Sequence, residues 1–245
     1  MRSVFTEFLQ ILPYVLAATG AGVLGGLVPL IWTPNVHARS AIQHFAAGVV
    51  IAAVASDLIP EVERTGRTAG ILIGFAAGGI FMIGLKWLVL KFEKKEKARH
   101  KFPVGIAAAA AADTLVDGAL ISAGFSSGQQ LGSLLAIALA IELFFLTLSV
   151  GSEFHKGKSK VWSGLAVTTG IALLLIAGAF LGFLFFHGIS EPSLAIVLSF
   201  GSAALIYLIA EELLVESIEA EENLFSTATL FAGFLVLLAL KLFTR

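Results

Sequence analysis

No cysteine occurs among the 245 residues, so disulfides and thiolate metal sites are both excluded. Charge is scarce too: Asp, Glu, Lys and Arg make up 13% of the chain, against roughly 25% in an ordinary soluble domain. No polar stretch is long enough to hold a soluble domain. No series of alternating-polarity runs about ten residues long suggests barrel strands. The net charge of −1 says nothing of partners by itself, but the placement of the charges does.

What the chain has is apolar length. Hydrophobic residues reach 58% and the mean hydropathy is +0.94. A helix that crosses a bilayer needs about 20 mostly apolar residues. By that measure eight spans fall near residues 9–32, 40–61, 68–90, 104–126, 130–152, 162–187, 193–216 and 224–243. The expected fold is an all-α membrane protein, one transmembrane domain over residues 1–245 with short links. The first span contains Pro13 and a glycine-rich second half, and no small-x-small cleavage site follows it. It therefore reads as a span and not as a removed signal peptide.

Lys86, Lys91, Lys94, Lys95, Lys97, Arg99 and Lys101 crowd the passage from span three to span four, and Lys156, Lys158 and Lys160 that from five to six. The positive-inside rule puts both passages on the cytoplasmic face of a cell (inner) membrane and both termini outside, with Arg64 and Arg67 as an exception on an outer loop. Anionic lipid headgroups, not nucleic acid, are the expected neighbours of the basic segment 91–102. Small residues such as Gly20, Gly22, Gly74, Gly78, Gly118 and Gly124 let helices pack closely in lipid, and their faces also suit a homodimer.

Within this frame Asp113 and Asp117 stand in a run apolar enough to cross the bilayer. Each carboxylate near the bilayer centre costs roughly 2.5 to 3.5 kcal/mol on insertion scales, and such acids mark ion or proton paths. Spaced i, i+4, the two share one helix face. Glu142 occupies span five, with Thr147 and Ser149 beyond it. Spans four and five are joined by a very short link near residue 128 and must pack antiparallel. Asp117 and Glu142 lie at similar distances from that link, so at about 1.5 Å per residue both reach mid-bilayer. Three carboxylates meeting there repel unless protonated or bridged by a cation, and an oxygen-ligated divalent ion resolves the conflict. Protonated acids that glue helices through Thr114 or Ser122, and a metal-free proton relay, are the other readings of the same residues.

Four further residues are site candidates. His44 in span two is a ligand or gate, or else a packing donor. Asp57 and Glu61, four apart at the end of span two, approach the outer mouth, where negative potential draws in cations. Equally, they can be a solvated helix end. Glu212, four before Glu216 at the end of span seven, is the exit-path candidate. Spans two and seven thus end alike while crossing in opposite directions, as an inverted repeat of spans one to three and six to eight around a central pair requires.

The whole pattern resembles the ZIP (Zrt/Irt-like) family of divalent-metal transporters. Where that family has His-Asn-x-Pro-Glu-Gly in its fourth helix, this chain has Asp113-Thr114-Leu115-Val116-Asp117-Gly118. Where the fifth helix has His-(Glu/Asn/Gln)-x-Pro-Glu, it has Glu142-Leu143-Phe144-Phe145-Leu146. Asp57 to Glu61 is similar to the family's second-helix ending, and Glu212 to Glu216 to its seventh. The resemblance implies eight spans in a 3+2+3 arrangement. It also implies an ion between helices four and five, and helices one, four, five and six rocking against the rest to carry it inward. The departures matter: Asp113 and Glu142 replace the metal-binding histidines, and Leu146 replaces an acid, so a two-metal centre is not expected. An all-oxygen site favours manganese, magnesium, calcium or iron over zinc, although carboxylates bind zinc as well.

The expected function is transport of a divalent cation, the metal being cargo, with no organic cofactor. The alternative is a proton-coupled or proton-conducting carrier of another solute. An intramembrane enzyme is disfavoured, because the paired aspartates lie on one helix and neither a Gly-x-Gly-Asp segment nor a histidine cluster occurs.

Overall fold

The fold is that of a computed structural model, which describes residues 2–96, 104–156, 161–213 and 224–243. Lys97, Arg99, Lys101, Lys158, Lys160 and Glu216 lie outside these residues. Eight helices are long and apolar enough to cross a membrane, and no strand occurs among the described residues. This is an all-helical integral membrane protein. In chain order the helices are α1 (Arg2–Leu27), α2 (Val36–Ala53), α3 (Thr68–Glu96), α4 (Val104–Ser127), α5 (Gln129–Lys156), α6 (Val161–Phe186), α7 (Glu191–Leu208) and α8 (Leu224–Phe243). A π turn, Val54–Leu58, and a last stretch, Ile59–Thr65, prolong α2; a π turn, Ile209–Leu213, prolongs α7.

Local chemistry sets several of the ends. The first span was expected to reach residue 32, but α1 stops at Leu27 and tightens into a 3₁₀ turn at Val28–Leu30. Pro29 lies in that turn and has no N–H to extend the helix. Helix α2 starts four residues before the expected 40, because the Asn35 side chain accepts a 2.8 Å hydrogen bond from the Ala38 N–H. That is an N-cap, which satisfies one of the donors a helix start leaves open. The π turn of α2 lies just upstream of Pro60, whose ring would crowd the carbonyl four residues back in a regular helix. Gly188 turns the chain between α6 and α7 at φ 74°, which only glycine adopts cheaply.

The bundle is layered. In α2, α5 and α7 61% of the spanning window is buried, against 17% in α3 and α8, so the former are central and the latter flank them. Large apolar side chains such as Leu72, Ile80 and Trp87 on α3 and Phe231 and Leu235 on α8 are exposed, as a lipid-facing surface requires. The closest helix pairs are α4 with α6, α2 with α8, α1 with α5 and α3 with α7, while α4 also packs on α5 and α1 on α6. Consecutive helices run in alternating directions. One end of the bundle carries the α4–α5 turn at Gly128 and the contact between Glu7 and His187. The other carries an ion pair between Arg39 of α2 and Glu153 of α5, 2.6 Å long, with Arg39 also donating to Ser149 at 2.8 Å.

Candidate metal centre

Helix α4 presents Asp113 and Asp117 one turn apart, and antiparallel α5 brings Glu142 to them. One carboxylate oxygen from each lies within 4.8 Å of the other two. All three residues are buried, with exposures of 4%, 2% and 2% in chain order. The rotation of α4 is fixed by close backbone approach: a Cβ on Gly118 would lie 2.2 Å from the Leu175 carbonyl oxygen of α6, and one on Gly178 2.2 Å from that of Leu115. Gly118 is thus there for packing, and it sets where its neighbour Asp117 points.

Ionised, the three acids would repel. At these separations and an effective dielectric near 20, each pair costs roughly 3 kcal/mol. Burial raises the cost of keeping even one charge. The hydroxyls near them are committed elsewhere: Thr114 donates to the Ala110 carbonyl at 2.7 Å, Ser122 to Ala179 at 2.6 Å, and Thr147 to Gly22 at 2.7 Å. They offer lone pairs to the cluster, not these protons. A cation seated among the carboxylates turns mutual repulsion into ligation.

Of the trio, Asp113 opens onto a cavity. This cavity of about 200 Å³ runs from Asp113 toward the end opposite Gly128, lined by Gln43, Leu146, Ser149, Tyr207, Lys86 and Glu211 among others. A second recess, about 320 Å³, opens at the Gly128 end beside Asp57, Glu61, Ser127, Leu131 and Lys241, and none of the three acids lines it. From Asp117 to Ser127 along α4 is about 15 Å at 1.5 Å per residue. Leu120, Ile121, Leu134, Leu135 and Ala138 are buried in that interval of α4 and α5.

No protein-family model and no curated protein matches this chain.

The other sequence candidates sit apart from the trio. His44 is half-buried, and its Nδ1 is 2.8 Å from the Ser40 carbonyl oxygen. That oxygen only accepts, so Nδ1 carries the proton and the ring caps a turn of its own helix. Its neighbour Gln43 is buried and lines the cavity with Asp113. Sequence reasoning chose the histidine for its chemistry, whereas one residue rotates a helix face by about 100°. Asp57 is bound by Lys241 at 2.8 Å. Glu61 takes a two-pronged contact from Arg64, at 2.9 and 2.7 Å, and a hydrogen bond from Ser127. Both acids border the recess, so the outer-mouth candidates are together, although each already holds a basic partner. Glu212 lies in the π turn after α7, and its side chain is outside the described residues.

Proposed function

We propose that the chain carries divalent cations across a membrane, in the manner of the ZIP transporters it resembles, with the ion held between α4 and α5 by Asp113, Asp117 and Glu142. The observation that carries this reading is the convergence of three buried carboxylates from two helices to within 4.8 Å. Its oxygen-only ligand set favours manganese or iron over zinc. Gln43 contributes an amide at the cavity wall beside Asp113.

A carrier must expose one site to two sides in turn, and an inverted repeat supplies two states of similar energy. Support for such a repeat comes from a constant offset of 155 positions between α2–α3 and α7–α8. It relates Val36–Ala53 to Glu191–Leu208, the two π turns to each other, Asp57 to Glu212 and Lys86 to Lys241. It also relates two contacts: a Cβ on Gly233 would meet the Phe45 carbonyl at 2.1 Å, and one on Gly78 the Phe200 carbonyl at 2.3 Å. The helix pairings fit as well, since exchanging the halves turns α2·α8 into α7·α3 and α1·α5 into α6·α4. With the basic links facing the cytoplasm, the cavity opens inward and the conformation is inward-facing.

The test is uptake into proteoliposomes of Mn²⁺, Fe²⁺, Zn²⁺ and Ca²⁺ by wild type, Asp113→Asn and Glu142→Gln. Ion uptake by wild type that both variants lose supports the reading. Variants that bind and move every ion like wild type overturn it. A pH-driven flux indifferent to EDTA and added metal points instead to a proton carrier using the same acids.

A further inference from the structure

Each of the two cavities has a lysine–carboxylate pair at its wall, and the two pairs stand at related places. At the Gly128 end Lys241 of α8 binds Asp57 in the π turn of α2, at 2.8 Å, and also donates to the Ser56 carbonyl. That carbonyl is available because Pro60, four residues on, has no N–H to give it. At the other end Lys86 of α3 binds Glu211 in the π turn of α7, with its ammonium 5.9 Å from the centre of the Tyr207 ring. Lys86 and Lys241 are 155 positions apart, and Glu211 is next to the position equivalent to Asp57. The pairs differ in one respect. Lys241 and Asp57 are 12% and 6% exposed, whereas Lys86 and Glu211 are 41% and 45% exposed. The buried pair borders the recess that none of the three acids lines, and the exposed pair borders the cavity that Asp113 lines.

From this juxtaposition, and resting on the carrier reading above, we propose that Lys241 and Lys86 are tethered counter-ions that lock the two ends in alternation. In the described conformation Lys241–Asp57 is largely buried and bars the way inward from the recess at the Gly128 end, while Lys86–Glu211 stands exposed at the other end. In the opposite conformation the roles exchange: the Lys86 pair is buried and the Lys241 pair hydrated. Dehydrating one ion pair is costly, but hydrating the other at the same moment offsets it. Two matched locks therefore keep the two states close in energy, which a single lock would not. Neither lysine touches the ion at the trio. Both act by positioning α8 against α2 and α3 against α7.

The absence of native cysteine makes the test direct. Single cysteines are placed at Leu131, buried at the recess, and at Ala109, on the cavity wall. Their reaction rates with a water-soluble maleimide are then measured in nanodiscs, where both faces are accessible. Lys241→Met leaves Asp57 buried without its partner in the present state. It should raise labelling of Leu131→Cys by roughly tenfold or more and lower that of Ala109→Cys, because breaking one side of a buried pair is strongly unfavourable. Lys86→Met should do the reverse. Lys241→Arg, which keeps the pair, should leave both rates near the parent's. Should Lys241→Met not fold, Asp57→Asn must shift the reporters in the same direction. The proposal fails if both rates rise together in Lys241→Met, or if a folded Lys241→Met or Asp57→Asn protein leaves both unchanged. Reciprocal shifts in a protein that binds no metal would keep the locks and remove the divalent-ion cargo; bound metal with unmoved reporters would do the opposite.

Discussion

Asp113 and Glu142 approach each other from antiparallel helices, each nearly sealed from solvent, with one oxygen of each within 4.8 Å of the other. Two such carboxylates are a liability in the empty protein and an asset once a cation lies between them. The relationship makes stability and binding two readings of the same contact.

Thermal unfolding in detergent should show both. Glu142→Gln removes one charge from the trio, so the metal-free variant should be at least as stable as wild type. A divalent ion at about one hundred times its Kd should stabilise wild type by roughly 2.7 kcal/mol. The variant, having lost a ligand, should show little of that shift. Equal ion-induced shifts in both proteins would place the ion elsewhere.

Gln43 and His44 make a paired prediction. Gln43 lines the cavity beside Asp113, while His44 is held by the Ser40 carbonyl. Gln43→Ala should weaken ion uptake or binding severalfold, and His44→Ala should leave it near wild type. Competition binding with Mn²⁺ measures both, and the opposite ranking would contradict the assignment.

Helix α4 depends on contact with α6. Gly118→Ala forces a Cβ to within 2.2 Å of the Leu175 carbonyl oxygen, and overpacking of this kind costs about 1–3 kcal/mol. Gly170→Ala, where nothing lies within 4 Å, is the control and should be neutral. Thermal denaturation of the two variants decides it. Because Gly118 follows Asp117, the first should also weaken ion binding.

Leu146 lines the cavity one turn from Glu142 on α5. Leu146→Glu restores the acid that the ZIP pattern has there. It should raise the bound metal from one ion per chain to two, counted by equilibrium metal analysis. A stoichiometry that stays at one would show that the cavity cannot hold a second ion beside Asp113.

Much of this was legible in residues alone, for identifiable reasons. Apolar length fixes the number and order of the spans, because the bilayer sets a minimum that soluble helices rarely meet. The short link at Gly128 fixes α4 and α5 as antiparallel neighbours, so counting residues from it placed Asp117 and Glu142 at similar depth, and they do meet. Rotation about a helix axis was not legible, which is why His44 was a candidate and Gln43 was not considered. Nor was the partnership of Asp57 with Lys241: two residues 184 positions apart meet only because α8 packs on α2. The early start of α2 was written in Asn35 and could have been read as a cap. The π turn before Pro60 follows from that proline, whereas we have no local cause for its counterpart in α7.

The most direct measurement is anomalous diffraction from crystals soaked in Mn²⁺, with data collected above the manganese absorption edge. The account predicts one strong peak between α4 and α5, bounded by Asp113, Asp117 and Glu142, and no peak there in Asp113→Asn crystals. Saturating ion with no density among these three residues, or with density only at surface acids, would contradict it.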